Sequence, residues 1–433
     1  MLLTKKMSQV KLRRTKEGVT GKMGLSWIGH CMEHFGLEEM VNEVYGNKKN
    51  SNREIEAYEK IMAGAMTRIA GGDRIEDIET LRADKGFVDS LGWEQIAGAD
   101  AYTNFINNKR NNEKNRIVNE MMAVKSMRKS EEEEFTYDND ATYSNSNKNS
   151  AAYSYQGKRQ HSGLIGCIAE LGVINTEDFR RGNISPQTGI YEQLEKAIRQ
   201  TKTAGKKIKR YRSDSASHQN KIFRLCNEEN IEYYISLDKN GAVKKCIGTI
   251  KKEEWKPLSG RYQKRLGTEW AETVYVTEKG ISMRTLILRW ANPDPDLFDD
   301  SLFCYHAIGT NNNKINAMKW LEIHNGRMGT IEHINKEIKA GLGCDYAPSH
   351  EFEKNRGYFL MGIIAHNIAQ IMKLFYLRGS AKHWTLKRMR YQFVNVCGKI
   401  IKTGRQFYCN ITNVTKETFE LFRNCKSQLI MMC

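Results

Sequence analysis

The chain has 433 residues, with 68 Lys and Arg against 51 Asp and Glu, a net charge of +17 with histidine neutral. That length exceeds one minimal domain at about 150 residues each, and 40% hydrophobic with 27% charged residues excludes a wholly disordered chain. Positive charge of this size suits nucleic acid, an anionic membrane surface or merely a basic protein, and does not choose among them.

The first 22 residues carry seven Lys or Arg and one Glu with no apolar run, so no export signal is expected. The most apolar stretch, 357–377, is interrupted by His366, Asn367, Gln370 and Lys373, each costly in hydrocarbon, and reads as a buried helix rather than a membrane span. Ten scattered cysteines without a C-x-x-C pair indicate a reduced compartment, so the expected location is cytoplasmic.

Helical spacing of Trp27, Ile28, Met32 and Phe35, of Ile61, Met62, Met66 and Ile69, and of Ile117, Met121 and Met122 predicts a helical N-terminal domain over 1–130. From Phe135 the period changes to two. Three short strands, at 135–140, 164–171 and 173–179, are followed by a helix at 187–200, a strand at 208–212, a helix at 219–227 and a strand at 231–237. This β-β-β-α-β-α-β order mixes hairpins with crossovers, and so predicts an α/β unit on a mixed sheet flanked by helices, its first part spanning 131–240. Residues 241–300 read as a β-rich insertion. A closing part at 301–378 holds a strand at 303–309, a helix at about 330–340 and the apolar helix, and 379–433 reads as a basic region with a hairpin over 391–412.

Three acids stand where this order brings element ends together: Asp140 at the end of the first strand, Asp214 just beyond the fourth, and Glu332 in the first turn of a late helix. Three such carboxylates can hold two Mg²⁺ ions about 3.5–4 Å apart, an arrangement that cleaves phosphodiesters. Asp138 competes for the first position, because residues two apart share a strand face; the small Ala and hydroxyl of Asp140-Ala-Thr142 favour Asp140. Lys339, seven residues after Glu332, shares its helix face and can reach a phosphate, and Gly329 lets Arg327 approach from the preceding loop. His218 is either a proton shuttle or a structural helix-start histidine. The basic runs Lys202–Arg212 and Lys382–Arg390, interleaved with Tyr211 and Trp384, have the make-up of phosphate-tracking surfaces. His30, Cys31 and His34 lack a further ligand for zinc, and Asp294, Asp296, Asp299 and Asp300 read as a solvated turn. No P-loop and no nucleophile elbow is present.

On Asp140-Ala-Thr142, Gly182-Asn-Ile-Ser-Pro186, Arg212-Ser-Asp214-Ser-Ala216 and Arg327 to Lys339, the chain resembles insertion-sequence DDE transposases of the cut-and-paste class. The likeness extends to Ile69-Ala-Gly-Gly-Asp73 and Leu81-Arg-Ala-Asp84. It implies an RNase H-like catalytic domain with a β-rich insertion. It also implies two divalent ions, Mg²⁺ or Mn²⁺, on Asp140, Asp214 and Glu332, and a Tyr-Arg-Glu-Lys signature. The Tyr position of that signature holds His324 here and Arg327 lies five, rather than four, before Glu332. His324, Arg327, Lys339 and Arg212 are the expected DNA contacts. The implied partners are double-stranded DNA, as terminal inverted repeats and target, and a second copy in a homodimeric synaptic complex, in a prokaryotic, nucleoid-associated setting. Some such enzymes flip a base against an insertion Trp, for which Trp255, Trp270 and Trp290 are candidates. The alternative is a transposase-derived DNA-binding protein without catalysis; a nuclease that cuts without joining is a third reading.

Overall fold

The computed structural model describes residues 17–46, 55–260, 265–294, 302–404, 406–412 and 414–431. Asp296, Asp299 and Asp300 of the acidic turn lie outside them, as do residues 1–16.

Helix α1 (Met23–Phe35) buries Leu25, Ile28, Met32 and Phe35 and stops at Gly36, whose φ of 84° is open to glycine without strain. Leu37–Tyr45 forms α2. In α3 (Ala57–Ala70) a Glu56–Glu59 capping box starts a helix that is apolar on almost every side, and the core closes around it. Short helices follow at Ile78–Arg82, Lys85–Ser90 and Ala99–Ile106. Next comes α4 (Lys109–Lys129), whose buried seam is polar: Asn112, Asn115 and Asn119 are at most 1% exposed.

The sheet begins with β1 (Glu134–Asn145), β2 (Arg159–Ile168) and β3 (Val173–Arg181), an antiparallel meander. Helix α5 (Ile190–Thr203) leads to β4 (Lys207–Ser213), parallel to β1, and α6 (Asn220–Glu228) leads to β5 (Glu232–Ser236), parallel to β4. The first five strands thus lie in the order β3-β2-β1-β4-β5, the RNase H-like mixed sheet. Each crossover helix is amphipathic and buries its apolar side on the sheet.

Two expectations are corrected here. The first strand does not end at Asp140 but runs on through Thr142-Tyr-Ser-Asn145, because Ser144 and Ser146 donate to the carbonyls of Cys344 and Ala347 (2.6 and 2.8 Å) and a polar strand is thereby satisfied. The segment 241–300 opens with a helix, Gly241–Gly248, capped by the Asn240 side chain. Its strands β6 (Glu269–Val276) and β7 (Ser282–Ala291) then pair antiparallel, and β7 joins β8 (Phe303–Thr310), which pairs with β5. The insertion strands therefore continue the core sheet.

Helix α7 (Ala317–Asn325) and a 3-10 turn, Gly326–Gly329, precede α8 (Ile331–Lys336). The helix expected over 330–340 is shorter than its pattern, since Glu337–Gly341 widens into a π turn. Helix α9 (Phe352–Ile371) continues as a π turn to Tyr376; this is the one described segment long and apolar enough to cross a membrane, and 83% of its most apolar window is buried. It packs on α3, α4 and β3. Its Asn367 accepts from the Ile174 amide (2.8 Å), donates to the Ile174 carbonyl (2.7 Å) and donates to Asn119 (2.7 Å), so two asparagines satisfy a strand edge inside the core.

The terminal hairpin occupies Gly398–Thr403 and Gln406–Ile411. Residues 391–394, expected in it, instead belong to a π turn, Arg390–Val394, whose first residue reaches back to the carbonyls of Ile69 and Arg68 (both 2.6 Å) and to that of Gly341. Val19–Thr20 pairs with the hairpin, and α10 (Lys416–Met431) lies on α1, with Trp27 and Phe422 edge to face at 5.9 Å.

Candidate active site

The parallel pairing of β1 with β4 ends at Asp138 opposite Arg212, so the chains part just before Asp140 and Asp214. Asp214 caps the turn Ser215–Ser217 by accepting from the Ala216 amide at 3.0 Å. Glu332 is in the first turn of α8, and its backbone starts where Thr330 breaks the preceding turn.

Asp140 is held by neighbours on three elements. Its Oδ1 accepts from the Ala141 amide (2.9 Å) and lies 3.9 Å from Arg327 Nη2, while its Oδ2 accepts from Asn335 Nδ2 (3.0 Å). Burial, offset in part by Arg327 and reinforced by the negative charges of Asp214 and Glu332, pushes its carboxyl up to about 6. Asp140 thus feels the charges of both other carboxylates.

A raised carboxyl has a thermodynamic consequence. The folded protein holds the Asp140 proton to higher pH than the unfolded chain, so ionisation costs stability once pH exceeds about 4 and the cost is complete above about 6. It amounts to at most about 3 kcal/mol. Without divalent metal, Asp140→Asn is expected to melt a few degrees above wild type at pH 7.5, with the gap closing as pH falls from 6 to 4. Calorimetry at a series of pH values checks this, and equal melting at pH 7.5 would contradict it.

Asp214, Glu332, Arg327 and His324 line one cavity of about 400 Å³ together with Trp290 and Arg265. Lys339 does not. The π turn rotates it out of phase with Glu332, and it lines a separate groove of about 570 Å³ with Thr142, Gln156, Asn335 and Lys336. Arg327 is 6% exposed and donates to the Asn139 carbonyl at 3.3 Å. His324 is buried against Ser236 Oγ (3.1 Å), and burial, with His306 and Arg327 beside it, drives its imidazole well below the usual range, so it is neutral.

Arg212, expected on DNA, is turned inward. Its Nε and Nη2 clasp both oxygens of Asp138 at 2.7 and 2.6 Å, and the carboxylate is fully buried. The rest of the basic run is ion-paired as well, mostly at the surface: Lys202, Lys206, Lys207, Lys209 and Arg210 each have an acidic partner within 4 Å. His218 is structural, accepting at Nδ1 from the Asp238 amide (3.0 Å). Of the three tryptophans, Trp255 lies under Arg289 and Trp270 under Lys256, whereas Trp290 lies under Arg265 (4.4 Å) in the cavity of the acids, its buried Nε1 unpaired. Asn335 escaped the sequence analysis, since an asparagine three residues after an acid is common on any helix; only its bond to Asp140 marks it.

Among the described residues no three His, Cys, Asp or Glu side chains stand close enough together to enclose a metal ion. The donor chemistry nevertheless fits Mg²⁺ or Mn²⁺. The candidate ligands are all carboxylate oxygens, and a cation beside Asp140 would offset both the burial and the neighbouring acids that raise its carboxyl. Mg²⁺ keeps several waters and takes only one or two carboxylates per ion, so an open arrangement suits it.

The sheet order and its flanking helices define a mixed α/β class of protein. The family model of the transposase DDE domain, group 1, matches residues 3–431, and the chain belongs to that family of DDE transposases. Among solved structures it is similar to piggyBac transposase in a synaptic complex with hairpin DNA, with 9% identity and a TM-score of 0.44 over 88% of this chain and 81% of that one. No curated protein matches the sequence.

Proposed function

We propose that this transposase cuts DNA at the terminal repeats of a mobile element and joins the freed 3′-hydroxyl ends to target DNA, a pair of copies holding the two ends. The observation that supports this reading is geometric, in a chain of the DDE family: Asp140 and Asp214 stand where the paired strands β1 and β4 part, and Glu332, in the first turn of α8, lines the same cavity as Asp214.

Asp140, Asp214 and Glu332 are the residues that would hold two divalent ions. When bound, such ions activate the attacking oxygen and stabilise the leaving one. Arg327, fixed by the Asn139 carbonyl, sets a permanent positive charge beside Asp140 where a phosphate would lie. His324, neutral, can exchange hydrogen bonds but not charge with DNA. Lys336 and Lys339 face the adjoining groove and are suited to backbone phosphates, so the strand would run from that groove past Asp140. Trp290 gives the cavity an aromatic face for an unstacked base.

The test is strand cleavage and joining on duplexes ending in the repeats that flank the gene, with Mg²⁺. Cutting and joining by wild type supports the reading. Binding without cutting would show a DNA-binding protein, and cutting without joining a nuclease. A 2-aminopurine at the terminal position tests the stacking role. Trp290→Ala is expected to weaken base stacking by about 1–3 kcal/mol, read as lost quenching, while Trp255→Ala and Trp270→Ala leave the quenching as in wild type.

A further inference from the structure

Each acid of the site has, two residues before it, a member of a second cluster. Asp138 precedes Asp140, Arg212 precedes Asp214, and Thr330 precedes Glu332. Asp138 and Arg212 are direct register partners across β1 and β4. The guanidinium holds both carboxylate oxygens at 2.7 and 2.6 Å. Its Nη2 also donates to Thr330 Oγ1 at 3.2 Å, its Nη1 donates to the Ile323 carbonyl at 2.9 Å, and the Thr330 hydroxyl donates to Asp138 Oδ2. Asp138 is 0% exposed and Arg212 8%. The backbone has been shaped to admit this: a Cβ on Gly326 would collide with Arg212 Nη1.

We propose that Asp138, Arg212 and Thr330 form a buried positioning triad that sets the spacing of the three metal-binding acids. The inference rests on the reading of those acids given above. Residues i and i+2 of a strand share a face, so a bidentate bond between Asp138 and Arg212 fixes Asp140 relative to Asp214 with little slack. The Thr330 hydroxyl joins the third acid to the same clasp at the start of α8. A buried ion pair is a poor source of net stability compared with apolar residues of like volume. Its use here is geometric, since the planar fork of arginine holds a carboxylate in one orientation. None of the three touches DNA or metal; they act through the residues two places on.

The experiment uses the full chain and three variants, Thr330→Val, Thr330→Ser and Arg212→Lys, with Mn²⁺ binding followed by electron paramagnetic resonance, cleavage kinetics on terminal-repeat DNA, and melting as the control for folding. Thr330→Val keeps the side-chain shape and removes the hydroxyl. It is expected to fold, to bind Mn²⁺ about 10-fold more weakly, within the range seen when the residues that orient metal ligands are lost, and to lower kcat with KM for DNA unchanged. Thr330→Ser is expected to recover both properties. Arg212→Lys keeps the charge but not the fork, and is expected to resemble Thr330→Val. Wild-type Mn²⁺ affinity and kcat in Thr330→Val, or a Thr330→Ser as impaired as the valine variant, overturns the triad and leaves the three acids standing. A wild type that neither binds Mn²⁺ nor cuts overturns the reading of the acids and the triad with it.

Discussion

Asp214→Asn is expected to bind terminal-repeat DNA as wild type does and to cut it at least about 10³-fold more slowly, a loss of about 4 kcal/mol of transition-state stabilisation. The reason lies in how little else Asp214 does. Its hydrogen bond is the one accepted from the Ala216 amide, which an asparagine oxygen accepts equally well, so the turn Ser215–Ser217 and the end of β4 survive the change. Only the negative charge disappears, and with it, on the function proposed above, a ligand for a divalent ion. Glu332→Gln, at an exposed position in the first turn of α8, is expected to behave in the same way. Gel-shift titration beside single-turnover cleavage reads both quantities. Cleavage within a factor of ten of wild type in either variant would remove that carboxylate from the catalytic set.

The second large effect falls far from the acids. Arg68, 5% exposed near the end of α3, donates to the carbonyls of Leu342 and of Tyr358 (2.9 Å) and lies 3.9 Å above the Tyr358 ring. Together with Arg390 it fastens the end of α3 to the π turn that carries Lys339. Arg68→Ala leaves two buried carbonyls without their donor, at about 1–3 kcal/mol each, and empties the space beside Tyr358. The expected loss of unfolding free energy is about 3–5 kcal/mol, measured from urea denaturation midpoints. A loss below about 1 kcal/mol would mean that water or a neighbour takes over those carbonyls.

The sequence discloses the alternation of the sheet strands and the amphipathic crossover helices, because each is a local pattern, and it offers the acids at 140, 214 and 332 as the candidate site through small motifs. What it conceals depends on partners distant in the chain. Arg212 looks like one more cation in a basic run; its carboxylate lies 74 residues away, and nothing in the local charge pattern tells a clasped arginine from a solvated one. The strand's continuation through Thr142-Tyr-Ser-Asn145 is hidden because a polar stretch gives no strand signal, and the acceptor of Ser144, the Cys344 carbonyl, is distant in the chain. Lys339 is seven residues from Glu332, and a regular helix would align them. The π turn at 337–341, held by Arg390 on Gly341, cannot be seen in the spacing. Asn335 has no signal at all without the Asp140 carboxylate in front of it.

The junction of Val19–Thr20 with Gly398–Lys399, and of α1 with α10, bears on how the protein is made. Met23, Trp27 and Cys31 pack against Gly398, Phe422 and Cys425, which leave the ribosome long after them. Part of the apolar surface of α1 therefore stays in water until those residues have emerged. A chain broken off before the final hairpin leaves that surface exposed to chaperones and proteases, so an element interrupted late in its gene is expected to yield a product that is cleared rather than a competing half-protein.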